Sequence, residues 1–386
     1  GFGPHSISCV AKHFPGGGPQ KDGEDPHFEY GKEQVYPSEA FGYHLEPFRK
    51  AVNAGLRQVM PSYGQPIGTQ YPEIAFGFNK EILTGLLRDE LGFKGIVLSD
   101  FGIISDGKIF GQEMPARAWG VENLEEIERV KLGLDAGIDQ FGGESCPQHI
   151  LDLVNSGQIS EERIDSSARR ILAEKFDLGL FENRYLDPEL AASIIGCQEF
   201  VAAGRRAQSE SMVPLKVTNK SEASLPLRPG LKIYTEGLTT ETQSRLGNPV
   251  ANIDDADLLV LRLHAPFEPR PGGFEAMFHA GSLEFQAGER DRIIGMCLKK
   301  PTIVCLYLDR PSVFPEIAEC AESLFVDFGA SSDAIADVLL GVITPRGKLP
   351  FDLPSSMTAV KESASDAPFD TKSPAFRFGD GLKLAW

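Results

Sequence analysis

From residue 7 onward, short β-rich apolar runs alternate with stretches of helical period. The run Ile7-Ser8-Cys9-Val10-Ala11-Lys12-His13-Phe14 empties into Pro15-Gly16-Gly17-Gly18 and predicts a strand that leads into a loop. Phe41, Leu45, Phe48 and Val52 share one stripe and predict a helix over 39–54. A second stripe, Ile82, Leu83, Leu86 and Leu87, predicts a helix over 79–91. Between the two, Gln58-Val59-Met60-Pro61-Ser62-Tyr63 has strand character, as does Gly95-Ile96-Val97-Leu98-Ser99-Asp100-Phe101 further on. A helix over 124–136 then leads into Gly137-Ile138-Asp139-Gln140-Phe141-Gly142-Gly143, and two more fit 147–155 and 161–176. Strands alternating with helices in this way indicate βαβ units and a parallel sheet. Each strand ends in polar or glycine-rich residues: Lys12-His13, Ser62-Tyr63, Ser99-Asp100 and Gly142-Gly143-Glu144. Barrels and open α/β sheets both place their chemistry at such C-terminal strand ends.

Residues 183–199, with Asn183, Pro188 and a run of small residues, are expected to be a linker. A second α/β pattern follows it. Its candidate strands are Leu231–Tyr234, Leu258–Leu263, Thr302–Leu308 and Ser323–Asp327, with helices near 284–299 and 332–340. Near-continuous β-branched runs of this kind suit strands buried on both faces. The expected organisation is a first domain over 1–182, the linker, and a second α/β domain over 200–386.

Composition narrows the function. The chain of 386 residues has 55 acidic and 38 basic side chains and a formal net charge of −17. Such a surface argues against nucleic acid and anionic membranes, which require a basic footprint. No run approaches the ~18–20 apolar residues of a membrane span. Hydrophobic residues at 41% and charged residues at 24% are ordinary for a globular protein. The cysteines Cys9, Cys146, Cys197, Cys297, Cys305 and Cys320 lack zinc-ligand spacing and read as buried free thiols. The opening Gly1-Phe2-Gly3-Pro4 resembles the middle of a loop, and one sequon, Asn219-Lys220-Ser221, is too common a pattern to assign a compartment.

Three constellations could carry chemistry. In Lys12-His13-Phe14-Pro15-Gly16-Gly17-Gly18, a cation and an imidazole at a strand end suit hydroxyl groups or developing negative charge. The glycines let the backbone approach a ligand. Taken alone, the same residues fit a strand that leaves through a flexible turn, and the spacing matches no phosphate-loop fingerprint. Asp100, ending an apolar strand, stands where barrel enzymes put catalytic groups, although an Asp there can equally cap the next segment. The segment from Arg262 to Glu275 combines His264, Glu268 and Glu275 with Arg270 in a loop rich in Pro and Gly. By itself it also fits solvated loop charge.

Together these motifs are similar to those of glycoside hydrolase family three, the retaining exo-β-glucosidases and their relatives. Lys12–Gly18 and Gly95–Phe101 resemble the family's paired barrel signatures. Pro345-Arg346-Gly347-Lys348-Leu349-Pro350-Phe351 and Phe376-Arg377-Phe378-Gly379-Asp380-Gly381-Leu382 resemble its C-terminal signature. The resemblance implies a (β/α)8 TIM barrel followed by an α/β sandwich, with a carbohydrate substrate held between them and no metal or organic cofactor. It implies that Asp100 is the nucleophile forming a covalent glycosyl-enzyme. Lys12 and His13 would bind sugar hydroxyls and Tyr63 would stand beside the nucleophile. The general acid/base would come from the loop after Leu258–Leu263: Glu268 first, with Glu275 as runner-up and His264 also open. Phe101 stands where the family more often has Trp, which weakens ring stacking on the sugar without removing the chemistry.

The family's barrel begins well before its Lys-His-Phe motif, which here starts at residue 12, so the first domain is expected to be the C-terminal half of the barrel. Half a barrel leaves open sheet edges and an uncovered core. The expectation is that the N-terminal half comes from a separate chain, a second copy or a cleaved precursor. Other readings are a catalytically incomplete fragment with an assembly role, a glycosidase for xylose or N-acetylglucosamine and, setting the resemblance aside, a nucleotide- or phosphate-dependent enzyme, which the lack of a phosphate-loop fingerprint disfavours.

Overall fold

The computed structural model describes residues 2–219, 221 and 224–386; Lys220 of the sequon lies outside them. Contacts divide the chain into two α/β units, the first holding residues 1–185, 269–280 and 364–367, the second 186–268, 281–363 and 368–386.

In the first unit, the strands Val10–Phe14, Gln58–Pro61 and Ile96–Val97 form a parallel sheet in that order, and a parallel bridge from Leu98 to Gln140 adds a fourth position. Val10 pairs with Gln58 and Val59 with Val97, so the C-terminal ends of all strands lie at one edge. Helices Phe41–Asn53, Glu81–Glu90, Glu126–Ala136, Pro147–Asn155 and Glu161–Asp177 follow the strands. Their apolar stripes supply Leu45, Phe48, Ile82, Leu83, Val130 and Leu153 to one core with Phe14, Val59 and Val97. Local capping agrees with the pattern. Glu125 and Glu128 form a reciprocal capping box, and Ser160 accepts from the Arg163 amide. The predicted first strand begins three residues late, at Val10 rather than Ile7, because Ile7 is solvent-exposed.

One buried carboxylate ties strands to helices. Asp139 accepts from the Val97 amide at 2.9 Å, from Ser167 Oγ at 2.7 Å, and from the guanidinium groups of Arg88 and Arg170 at 2.7 Å each. Burial of a charge is tolerated there because every lone pair has a donor.

The second unit is built on a sheet of six strands in the order Asn248–Pro249, Lys232–Glu236, Leu258–His264, Thr302–Tyr307, Ser323–Asp327 and Val213–Val217. All pairs are parallel except the last. Alternate residues feed two cores: Leu259, Leu261, Val304, Leu306 and Leu324 one, Leu258, Val260, Ile303, Cys305 and Phe325 the other. That two-sided burial is why these strands are apolar throughout. Arg262 pairs with fully buried Asp327, whose carboxylate also accepts from the amides of Gly329 and Ala330.

The span expected to be a linker, 183–199, contains a helix, Pro188–Ile194. Its start signal is Asp187-Pro188: the Asp187 side chain accepts from the amides of Glu189 and Leu190, and proline suits the first helical position. Residues 269–280 and 364–367 pack with the first unit, whereas linear order had placed them with 200–386.

Candidate active site

At the C-terminal edge of the first sheet, three of the expected side chains converge. The strand Val10–Phe14 bulges between Lys12 and Phe14, where its pairing steps only from Met60 to Pro61. Such a bulge re-aims side chains. It accompanies the placement of His13 Nε2 3.2 Å from Asp100 Oδ2. Asp100 is buried; Oδ1 accepts from the Phe101 amide at 2.8 Å. Among the described residues Oδ2 accepts no hydrogen bond, although His13 Nε2 lies 3.2 Å away. A buried carboxylate oxygen with unengaged lone pairs is the arrangement a nucleophile needs.

The electrostatics fix the proton inventory. Burial pushes the His13 imidazole below its ordinary value, opposed by the charge of Asp100 and reinforced by Lys12 and His27. His13 is therefore neutral at pH 7. Burial, then the negative charge of Asp100, raises the Tyr63 phenol, which stays protonated. Its hydroxyl donates to the Phe101 carbonyl at 2.6 Å. Arg117 Nη2 donates to the same oxygen at 2.7 Å, with its guanidinium 5.4 Å from the Tyr63 ring centre. The residue after Asp100 is thus clamped by two donors.

Close backbone approach completes the support. Ser99 Oγ accepts from the Gly142 amide at 2.8 Å, and the Ser99 amide donates to the Gln140 carbonyl at 2.9 Å. A Cβ at Gly142 would fall 2.4 Å from the Ser99 carbonyl and 2.6 Å from Phe101 Cδ1, so only glycine lets the Phe101 ring settle there. That ring is 53% exposed and free to meet a ligand on its outer side. Lys12 is exposed and stands next to His13, whose titration its charge affects.

The three candidates for general acid/base fall in different places. His264 ends the strand Leu258–His264 and packs edge-on against Tyr307, with ring centres 5.4 Å apart. Glu268 belongs to the second unit, where its Oε1 accepts from the Ser282 amide at 3.2 Å. Glu275 belongs to the first: its Oε1 accepts from the Tyr30 hydroxyl at 2.6 Å, and Arg270, which pairs with Glu24 at 2.5 Å, lies 4.0 Å away. The neighbours Phe274 and Phe278 pack on His27 at 5.5 and 5.2 Å, and His27 packs on Tyr63 at 4.9 Å. Asp25 fixes the His27 ring through a contact of 2.6 Å to Nδ1.

His27 and Arg117 escaped the sequence reading. Both sit in loops without apolar period, and neither Asp25-Pro26-His27 nor Pro115-Ala116-Arg117 carries a recognisable signal. Among the described residues, no group of three or more His, Cys, Asp or Glu side chains could hold a metal ion, and no helix is long and apolar enough to cross a membrane.

Residues 1–173 match the family model described as the glycosyl hydrolase family 3 N terminal domain. "Probable beta-glucosidase C" of Aspergillus flavus is 52% identical over 388 residues, covering 100% of this chain and 61% of the relative. "Beta-glucosidase C" of Emericella nidulans is 51% identical, covering 99% and 62%. The "Periplasmic beta-glucosidase/beta-xylosidase" of Dickeya chrysanthemi is 34% identical, covering 99% and 61%. The chain thus spans about three fifths of the length of these curated relatives. Among solved structures, the beta-glucosidase from Listeria innocua in complex with isofagomine superposes with a TM-score of 0.76 at 21% identity, covering 98% of this chain and 58% of that one. At that identity the likeness is one of fold.

Proposed function

We propose that the chain, whose residues 1–173 match the glycosyl hydrolase family 3 N terminal domain, is a member of that family and takes part in retaining exo-β-glucosidase chemistry on terminal β-D-glucosyl residues. The observation that carries the reading is the buried Oδ2 of Asp100, which among the described residues accepts no hydrogen bond, with His13 Nε2 3.2 Å away. In the first step Oδ2 attacks the anomeric carbon and the C–O bond to the aglycone breaks. Glu268 gives its proton to the departing oxygen. In the second, Glu268 as carboxylate takes a proton from water, the water oxygen bonds to the anomeric carbon, and the Asp100 ester bond breaks. Retention of this kind pairs carboxyl groups about 5–5.5 Å apart.

Lys12 and His13 bind sugar hydroxyls in this scheme, and the exposed Phe101 ring offers a smaller stacking face than Trp would. The Tyr63 hydroxyl spends its proton on the Phe101 carbonyl, so toward substrate it presents a lone pair. Glu275 is already engaged by Tyr30 and stands close to Arg270, which suits a carboxylate that holds its loop rather than one that cycles a proton. The fold we propose is four βα units forming the C-terminal half of a (β/α)8 barrel, completed by strands outside this chain and followed by an α/β sandwich.

A panel of nitrophenyl glycosides tests the reading, with product stereochemistry followed by NMR. β-Glucoside cleavage giving the β-anomer first is the expected result; inversion overturns it. The Dickeya relative is named as a beta-glucosidase/beta-xylosidase, which makes a β-xyloside the informative second substrate. Asp100→Asn should abolish turnover with folding retained. Azide should restore part of the activity of Glu268→Ala on an activated aryl glucoside; rescue of Glu275→Ala instead would move the acid/base role.

A further inference from the structure

The His13–Gly18 loop is held by a device that lies far from it in sequence. Gly16 folds back so that its amide donates to the His13 carbonyl at 2.8 Å, and its own carbonyl accepts from Gln34 Nε2 at 2.6 Å. With φ at +129°, Gly16 lies against His44 so closely that a Cβ would fall 2.7 Å from the His44 carbonyl oxygen. A Cβ at Gly18 would fall 3.1 Å from the His44 ring. The loop that presents His13 to Asp100 therefore rests on one histidine of the helix Phe41–Asn53.

That histidine is in turn fixed by residue 366. His44 Nε2 lies 2.8 Å from the Asp366 carbonyl oxygen, which can only accept, so Nε2 carries the proton. The Asp366 carboxylate is 1% exposed; it accepts from the Ser38 amide at 3.0 Å and from the Ala40 amide at 2.8 Å. The helix has Ala40 at its N-cap, a residue with no side-chain acceptor. A distant carboxylate thus satisfies amides at the positive end of the helix dipole. Backbone and side chain of Asp366 grip the same helix at two points.

We propose that Asp366 is a positioning residue for the candidate active site: it clamps the start of the helix Phe41–Asn53 and the His44 ring, and through them seats the His13–Gly18 loop beside Asp100. The inference rests on the glycosidase reading for its kinetic consequence but not for its geometric one. Asp366→Ala removes both carboxylate contacts, and Asp366→Asn keeps the shape and one acceptor. With the chain labelled at histidine carbons, His13 is assigned by its loss in His13→Gln, and its imidazole resonance is followed in each variant.

The expected result is a displaced and broadened His13 resonance in Asp366→Ala, largely restored in Asp366→Asn. A fall in kcat/KM of about tenfold for an aryl β-glucoside should accompany it, borne mainly by kcat, as loss of alignment requires. Circular dichroism and a thermal melt establish that the variants fold. A lowered melting temperature with His13 resonance and kinetics of the parent would overturn the proposal and leave Asp366 as a helix cap alone. If the parent protein hydrolyses no glycoside, the functional reading fails, yet the resonance still decides the positioning role.

Discussion

Tyr63→Phe removes one oxygen from a residue that is 3% exposed, and the structure sets the size of the effect. The lost hydroxyl donates at 2.6 Å to the Phe101 carbonyl, which keeps Arg117 Nη2 at 2.7 Å. No acceptor is left unsatisfied, so the cost is that of one net hydrogen bond, about 1 kcal/mol, rather than a full desolvation penalty. For a unit of this size that corresponds to a fall in melting temperature of about 2–4 °C. The catalytic effect follows the same logic. Phe101 is joined to Asp100, so losing one of two clamps should lower kcat/KM by about tenfold, or ~1.4 kcal/mol of transition-state stabilisation. Arg117→Met takes away the other clamp. In the double variant the carbonyl has neither donor, and the combined loss should exceed the sum of the single losses by about 0.5–3 kcal/mol. A thermal melt and aryl β-glucoside kinetics on the four proteins complete the cycle. Strict additivity in both measurements would refute the shared-acceptor argument.

Asp139→Ala strands Arg88 and Arg170 beside an empty space, and urea unfolding should show a loss of about 3–5 kcal/mol; a loss below about 1 kcal/mol would mean that the network is not what fixes the strand ends. His13, held neutral by burial, binds fewer protons folded than unfolded. Stability should therefore fall as pH drops below about 6.5 toward the folded-state value, and His13→Gln should flatten that slope; an unchanged slope contradicts the assignment. Gly142→Ala drives a methyl group into the Ser99 carbonyl and the Phe101 ring. It should cost about 1–3 kcal/mol in stability and lower kcat more than KM, whereas parent-like kinetics would show that Phe101 need not rest there.

Local pattern carried a great deal. The stripes Phe41-Leu45-Phe48 and Ile82-Leu83-Leu86-Leu87 produced helices over Phe41–Asn53 and Glu81–Glu90, and the continuous apolar runs of the second half became strands covered on both faces. His13, Tyr63 and Asp100 were legible for the same reason: each ends an apolar run, and parallel pairing brings such ends to one edge. Where local signals were present but weak, as at Asp187-Pro188, a helix was missed.

What the linear pattern could not determine is which loops meet. His27 against Tyr63, Arg117 and Tyr63 on one carbonyl, Glu275 on Tyr30 and Asp366 on His44 are contacts in which at least one partner lies in a loop without periodicity. Periodicity reports only which face of an element avoids water, a property of neighbouring residues. The pairing of loops is decided by the sum of weak hydrogen bonds and ring contacts formed after the elements have packed, and that sum exists only in the folded chain.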